Sequence, residues 1–233
     1  YFLSSFQHGG NSPAPTFPAP AGICQNPGNP NHHGPTVRAL LTALDDWADR
    51  GIPPPPSNYP TVSAATLVPL AEARRAFPEI PDVSFPEIVT ELQLLDFGPT
   101  FSSTGGRLTV LPPKVGPNYS ILVPKSDEDG LNIAGVRPME IRAPLGTNAG
   151  WNIRSAEARG PNLCGLRGTY IPFAVTQAER SAAGDPRRSL QERYENHEGY
   201  VKAVRKAAQE LIDERFLLEE DAKRFITAAE ASH

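Results

Sequence analysis

Proline constrains this chain more than any other residue. It occurs 26 times in 233 residues, alongside 19 glycines, and a proline ring neither donates to a strand ladder nor fits inside a helix without cost. Much of the fold is therefore expected to be irregular, ordered loop. Length by itself allows one large or two small domains. Charge excludes more than it suggests: 22 basic against 26 acidic residues leave a net of −4. There is no basic stripe or acidic tail, so no nucleic-acid partner is expected. No apolar run approaches the roughly eighteen residues of a membrane span, so none is expected.

The first fifty residues carry the clearest order. Tyr1-Phe2-Leu3-Ser4-Ser5 reads as a short apolar strand running into Gln7-His8-Gly9-Gly10. A Pro/Gly/Asn-rich loop occupies Gly10 to Gly34, where Asn26-Pro27-Gly28-Asn29-Pro30 forbids a helix. Val37, Leu40, Leu41, Leu44 and Trp47 then recur at helical spacing. Thr36 can cap that helix with Pro35 before it, Gly51 ends it, and Pro53 to Pro56 make a stiff extended exit. Strand, histidine, loop and final amphipathic helix is how an α/β-hydrolase core closes, and the triad order in that fold is serine, acid, histidine. On this pattern His8 is the general base. Its imidazole titrates close to working pH, so it can take a serine proton and return it to a leaving alkoxide. No G-x-S-x-G occurs between Tyr1 and His233, so serine and acid are expected upstream, with the chain opening inside a core strand. Such a strand needs a neighbour for its backbone.

Residues 57 to 100 alternate apolar pieces with prolines, and Glu72 to Ala76 can form one helical turn. Strand-like patterns follow at Leu108 to Leu111, Tyr119 to Val123 and Gly135 to Ala143, with a turn at Ser126-Asp127-Glu128-Asp129-Gly130. Ser189 and Glu192 make a capping box. The apolar faces Tyr200/Val201/Val204/Ala208/Leu211/Ile212 and Leu218/Ala222/Phe225/Ile226 predict two or three packed helices over 190 to 231. The expected organisation is α/β: residues 1–60 as the last strand, His loop and terminal helix of a core, 61–188 as a loop-rich extension with short strands, and 189–233 as a helical segment.

Tyr1 to Pro60, followed by Leu145-Gly146-Thr147-Asn148-Ala149-Gly150-Trp151-Asn152, Leu163-Cys164-Gly165-Leu166, Ile171-Pro172-Phe173-Ala174, Glu179-Arg180 and Gly184-Asp185-Pro186, closely resembles the C-terminal half of bacterial "alpha/beta hydrolase domain" proteins. Those are predicted exported esterases, and the resemblance covers nearly the whole chain. More distantly, His8, the glycines after it, Cys24 and Trp47-Ala48-Asp49-Arg50-Gly51-Ile52-Pro53 resemble the close of tannase and feruloyl esterases. Cys24 does not adjoin His8 as the cysteine of those enzymes adjoins their histidine, so their disulfide does not carry over. The resemblance implies a carboxylic-ester hydrolase with a small-molecule ester substrate, no cofactor, and a periplasmic or secreted location. The N-terminal part of the same protein would be its partner.

Several residues carry competing readings. His8 is catalytic or merely hydrogen-bonds a loop; Gln7 and the amides of Gly9 and Gly10 can orient it. Trp151 and Asn152, in a glycine-rich loop, suit a substrate-pocket wall or a structural plug. Cys24 and Cys164 both lie in loops, which fits an oxidised pair in an exported protein; the alternative is two unrelated core cysteines. His32-His33 lacks a carboxylate or cysteine at ligand spacing, and Asp127 to Asn132 lacks the distal glutamate of a calcium loop, so no metal is expected. His197, and Asp45, Asp46 and Asp49 on the terminal helix, read as solvated surface. The expected activity is ester hydrolysis through an upstream serine. Its rivals are a noncatalytic accessory subunit of a larger assembly and an ester- or lactone-binding domain without turnover.

Overall fold

The computed structural model describes residues 1–8, 18, 20–31, 33–87, 89–160 and 162–232. Its elements are α1 (Gly34–Arg50), β1 (Leu67–Pro69), α2 (Leu70–Ala76), β2 (Gln93–Asp96), β3 (Lys114–Asn118), β4 (Leu122–Pro124), α3 (Met139–Arg142), β5 (Gly146–Ala149), β6 (Thr169–Pro172), α4 (Gln177–Ala183), α5 (Leu190–Tyr194), α6 (His197–Asp213) and α7 (Glu219–Ala231). Among the described residues the strands pair as three two-stranded antiparallel ladders, β1-β4, β2-β3 and β5-β6. This is a mixed helix and strand architecture in which long loops carry much of the chain, as the proline content requires.

Helix chemistry follows the local signals. Ser189 and Glu192 form a reciprocal capping box on α5, and Thr176 with Glu179 does the same on α4. Gly51 closes α1 at φ +67°, its N–H reaching the Asp46 and Trp47 carbonyls. The start of α1 departs from expectation: Thr36 lies inside the first turn, buried, with His33 at the cap and Pro35 in the first turn. A proline there lacks only a donor that would have had no partner in the helix.

The main core forms where Val204, Ala207, Ala208 and Leu211 of α6 meet Ala222, Phe225 and Ala229 of α7, closed by Phe216, Leu217, Val136, Met139 and Ala143. Leu3 and Leu40 lean on it from the N-terminal region. Asp221 is fully buried and accepts two bonds from Arg38, at 2.9 and 2.6 Å, which tie α1 to α7.

Tyr1 to Ser5 does not extend as a strand. It makes a single parallel bridge, Leu3 to Val136, in which Ser4 N–H donates to Val136 O (3.0 Å) and Val136 N–H to Phe2 O (2.7 Å). A neighbour for this segment thus comes from within the chain. Gly135 permits the approach, since a Cβ there would lie 2.6 Å from Phe2 O. The segment from 135 to 143 breaks after Val136 because Pro138 opens the short helix α3. Likewise no strand forms at Leu108 to Leu111; the pairing begins at Lys114, past Pro112 and Pro113. Tyr119 to Val123 contributes only Leu122 and Val123, to β4.

α1 is amphipathic in an unexpected sense. It buries its small residues, Ala39 and Ala43, together with Pro35 and Thr36. Apart from Leu40, which leans on the core, its largest apolar residues face solvent, with Leu41 58 %, Leu44 53 % and Trp47 54 % exposed.

Candidate active site

A cavity of about 510 Å3 opens where the His8 segment meets the β5-to-β6 connection. Phe6, Gln7, His8, Phe77, Phe85 and Trp151 are among its lining residues. Phe77, Phe85 and Trp151 pack as one unit, with centroid separations of 5.5 Å for Phe77–Trp151, 5.3 Å for Phe85–Trp151 and 5.2 Å for Phe77–Phe85. Such tilted and edge contacts hold aromatic side chains in fixed orientation. His8 is exposed at this cavity, and its backbone N–H reaches Leu166 O (3.4 Å).

The loops around His8 are held by amides. Gln7 Nε2–H donates to Asn29 O (2.8 Å), and Gln7 Oε1 accepts from Gly168 N–H (3.0 Å). Asn29 Nδ2–H donates to Ser5 O (2.6 Å) and Ala149 O (3.0 Å). Ser5 Oγ accepts from Asn132 N–H (3.0 Å), and Ser4 Oγ–H donates to Ala134 O (2.6 Å). Three separate stretches, at Asn29, Asn132 to Ala134 and Gly168, therefore converge on Ser4 to Gln7, each through a buried or half-buried bond. Gly168 is required at this junction: a Cβ would sit 2.8 Å from Asn29 Cβ and 3.0 Å from Gln7 Cβ.

His8, Gln7 and Trp151 thus meet at one cavity. Gln7 lines it, but both ends of its amide are committed to backbone rather than to His8. Asn152 takes a different position from its neighbour Trp151. It is 1 % exposed, and its Nδ2–H donates to Asn26 O (2.9 Å) and Gly168 O (3.1 Å) while its Oδ1 accepts from Ile153 N–H (2.9 Å). Its amide fixes the loop that presents Trp151. Gly9 and Gly10 lie outside the described residues, as does His32.

Cys24 and Cys164 form a disulfide, with Cα atoms 5.7 Å apart across a sequence separation of 140. Both are buried, and Cys164 N–H donates to Asn152 O (2.7 Å). The bond fastens the loop before α1 to the loop that follows Trp151.

The turn from Ser126 to Gly130 forms as the sequence predicts, with Asp127 Oδ1 accepting from Asp129 N–H (3.1 Å) and Leu131 N–H (3.0 Å). It also does something the sequence did not reveal: Ser126, Gly130 and Asn132 line the cavity. Burial pushes the Asp127 carboxyl up, against the opposing pull of the N–H bonds and Arg137. Phe77 and Phe85, the other walls, lie in proline-broken sequence with no periodicity to mark them.

Arg187 was not singled out by its sequence, yet it holds the β5-β6 hairpin. It is 3 % exposed and donates to Asp185 Oδ1 (2.9 Å) and Oδ2 (2.6 Å), Thr147 Oγ1 (2.9 Å), Ile171 O (3.0 Å) and Pro172 O (3.1 Å). Its guanidinium lies 5.1 Å from the Phe173 ring centroid. The Gly184-Asp185-Pro186 run is thereby explained as the stretch that delivers a carboxylate to this cation. Among the described residues no group of three or more His, Cys, Asp or Glu side chains could hold a metal ion, and no helix is long and apolar enough to cross a membrane.

The family model described as "Alpha/beta hydrolase domain" matches residues 6–227. Neither the curated proteins nor the solved structures give a match.

Proposed function

The chain belongs to the alpha/beta hydrolase domain family, which points to hydrolysis, and on that footing we propose that it supplies the triad histidine of a serine carboxylic-ester hydrolase. His8 is the base. The serine, its orienting carboxylate and the rest of the core sheet come from sequence upstream of these residues. Residues 1–60 then close the catalytic core, 61–188 form the loop-rich extension over it, and 189–233 are the helical segment that braces both.

The observation that carries this reading is His8 at an apolar, aromatic-walled cavity, on a segment that bridges in parallel to Val136. A cavity of this size and lining suits the apolar part of a small ester. The exposed row of Leu41, Leu44 and Trp47 on α1 supports the remainder, because a final hydrolase helix lays that face on the core sheet. The disulfide supports export to the periplasm or beyond, where such bonds persist.

The chemistry would run as acyl transfer. His8 takes the serine proton as the hydroxyl oxygen adds to the ester carbonyl, and gives it to the departing alkoxide, leaving an acyl-serine and free alcohol. Water then adds to the acyl group with His8 again accepting the proton, and the intermediate collapses to the carboxylic acid and the regenerated serine. A fluorophosphonate ester tests the scheme on the full protein, since it phosphonylates an activated serine. The label is expected on one serine upstream of Tyr1, and only while His8 is intact. Labelling of a serine within the present chain, or none at all, would refute it.

A further inference from the structure

A second cavity, of about 600 Å3, lies on the other side of β5, between α3, β6, α6 and α7. Strand alternation separates the two: Ala149 lines the His8 cavity, and its neighbour Asn148 lines this one. The walls are apolar, supplied by Met139, Leu145, Val204 and Phe225 among others. Polar groups are few. Glu140 contributes a carboxyl, Asn148 an amide, and Tyr170 and Tyr200 contribute rings, with Ser232 at the end of α7. No basic side chain is among the described lining residues.

Two features of this lining are costly for a cavity with nothing in it. Asn148 is 1 % exposed. Its Nδ2–H donates to the Glu140 backbone carbonyl (3.4 Å), which identifies Oδ1 as the atom left over, and Oδ1 is buried without a hydrogen-bond partner. An unsatisfied buried acceptor costs about 1 to 3 kcal/mol. Among the described residues no cation acts on the Glu140 carboxyl; the titratable group that senses it from another element is the Tyr200 phenol on α6. Burial pushes its carboxyl up to about 7. Tyr170 already donates its hydroxyl to Leu145 O (3.2 Å), and Ser232 donates to Ala229 O (2.7 Å). What Asn148 Oδ1 lacks is a donor, and what Glu140 lacks among the described lining residues is a positive charge.

We propose that this cavity is a binding site for a small primary ammonium carrying a hydrocarbon body. An ammonium has three donors and no acceptor. One can serve the Glu140 carboxylate and another Asn148 Oδ1, while the tyrosine faces offer the negative side of their quadrupoles. The apolar walls take the hydrocarbon. A carboxylate ligand would meet Glu140 with like charge, and a neutral alcohol would forgo the ionic contact. The site is separate from the His8 cavity and does not depend on the ester-hydrolase reading.

Calorimetric titration of the full protein with 2-phenylethylammonium tests this, at about pH 8, where Glu140 is ionised and the amine still protonated. The expected result is one site per chain, with 2-phenylethanol binding at least tenfold more weakly and 3-phenylpropanoate not at all. Glu140→Gln should weaken the ammonium at least tenfold and leave the alcohol within about twofold. Ala228→Phe, which fills the cavity from α7 and spares Glu140, should abolish binding of both, so the outcome does not hang on one variant folding. Absence of saturable binding, equal affinity for amine and alcohol, or an ammonium affinity unchanged in either variant would overturn the proposal.

Discussion

Replacing Arg187 by methionine keeps most of its stem and removes a cation that satisfies Asp185, Thr147 and the carbonyls of Ile171 and Pro172 at once. Asp185 is then left nearly buried without its cation, keeping only the main-chain N–H of residue 187, and breaking such a buried pair typically costs about 3 to 5 kcal/mol. Chemical denaturation of Arg187→Met is expected to show a loss in that range, and a loss below about 1 kcal/mol would contradict this account of the hairpin. Glu140 makes the opposite kind of prediction. Its carboxyl is raised from 4.5 to about 7 by burial, so between those values the folded chain holds a proton that the unfolded chain has released. Stability should therefore fall as pH rises through that window and level off above it. The residue keeps some solvent contact, so the effect is about 2 kcal/mol rather than the full value of the shift. Denaturation midpoints measured across pH should show that slope, and Glu140→Gln should flatten it. At this scale the sequence displayed His8 and Trp151 as candidates because histidine and tryptophan are chemically distinctive. It could not display the roles of Gln7 and Asn152, whose amides are spent on Asn29, Asn26 and Gly168, partners far away along the chain.

Elements were legible where the signal is local. Ser189 with Glu192, Gly51 after α1, and the apolar faces of α6 and α7 each depend on residues within a turn or two, and each forms as read. Strands were not legible to the same degree. A ladder depends on a partner elsewhere, and here proline decides where pairing can begin: Pro138 turns the 135 to 143 stretch into α3, and Pro112 with Pro113 moves pairing to Lys114. α1 mixes the two cases. Its periodicity was plain, yet only the structure reveals that Ala39 and Ala43 face inward while Leu41, Leu44 and Trp47 face out. If the outer row docks on a core sheet, Leu44→Asp or Trp47→Glu should hardly alter the stability of the isolated chain, by about 0.5 kcal/mol or less, since neither side chain is buried in it. The same changes should weaken its association with the upstream part by tenfold or more in a pull-down or titration, and equal association would refute the docking.

For the whole molecule, the Cys24–Cys164 bond closes a loop of 140 residues that contains β1 to β5 but not β6, and joins the His8 side of the cavity to the Trp151 side. In the chain-entropy model such a closure stabilises by about 4 to 5 kcal/mol. Cys164→Ser is expected to lower the unfolding midpoint by several degrees and to make the midpoint insensitive to reductant, whereas the parent chain should lose stability when reduced. A reductant response that survives in Cys164→Ser would place the sensitivity elsewhere. Family membership, mixed architecture, the closed disulfide and the convergence of His8 with an aromatic cavity all bear on one central claim, that His8 is a catalytic base. The direct measurement is kcat/KM for a short-chain p-nitrophenyl ester with the full protein and its His8→Ala variant, the fold of each verified by circular dichroism. Loss of the imidazole is expected to lower turnover on the order of 10^4-fold with the fold unchanged. A folded His8→Ala variant that hydrolyses the ester within tenfold of the parent would contradict it.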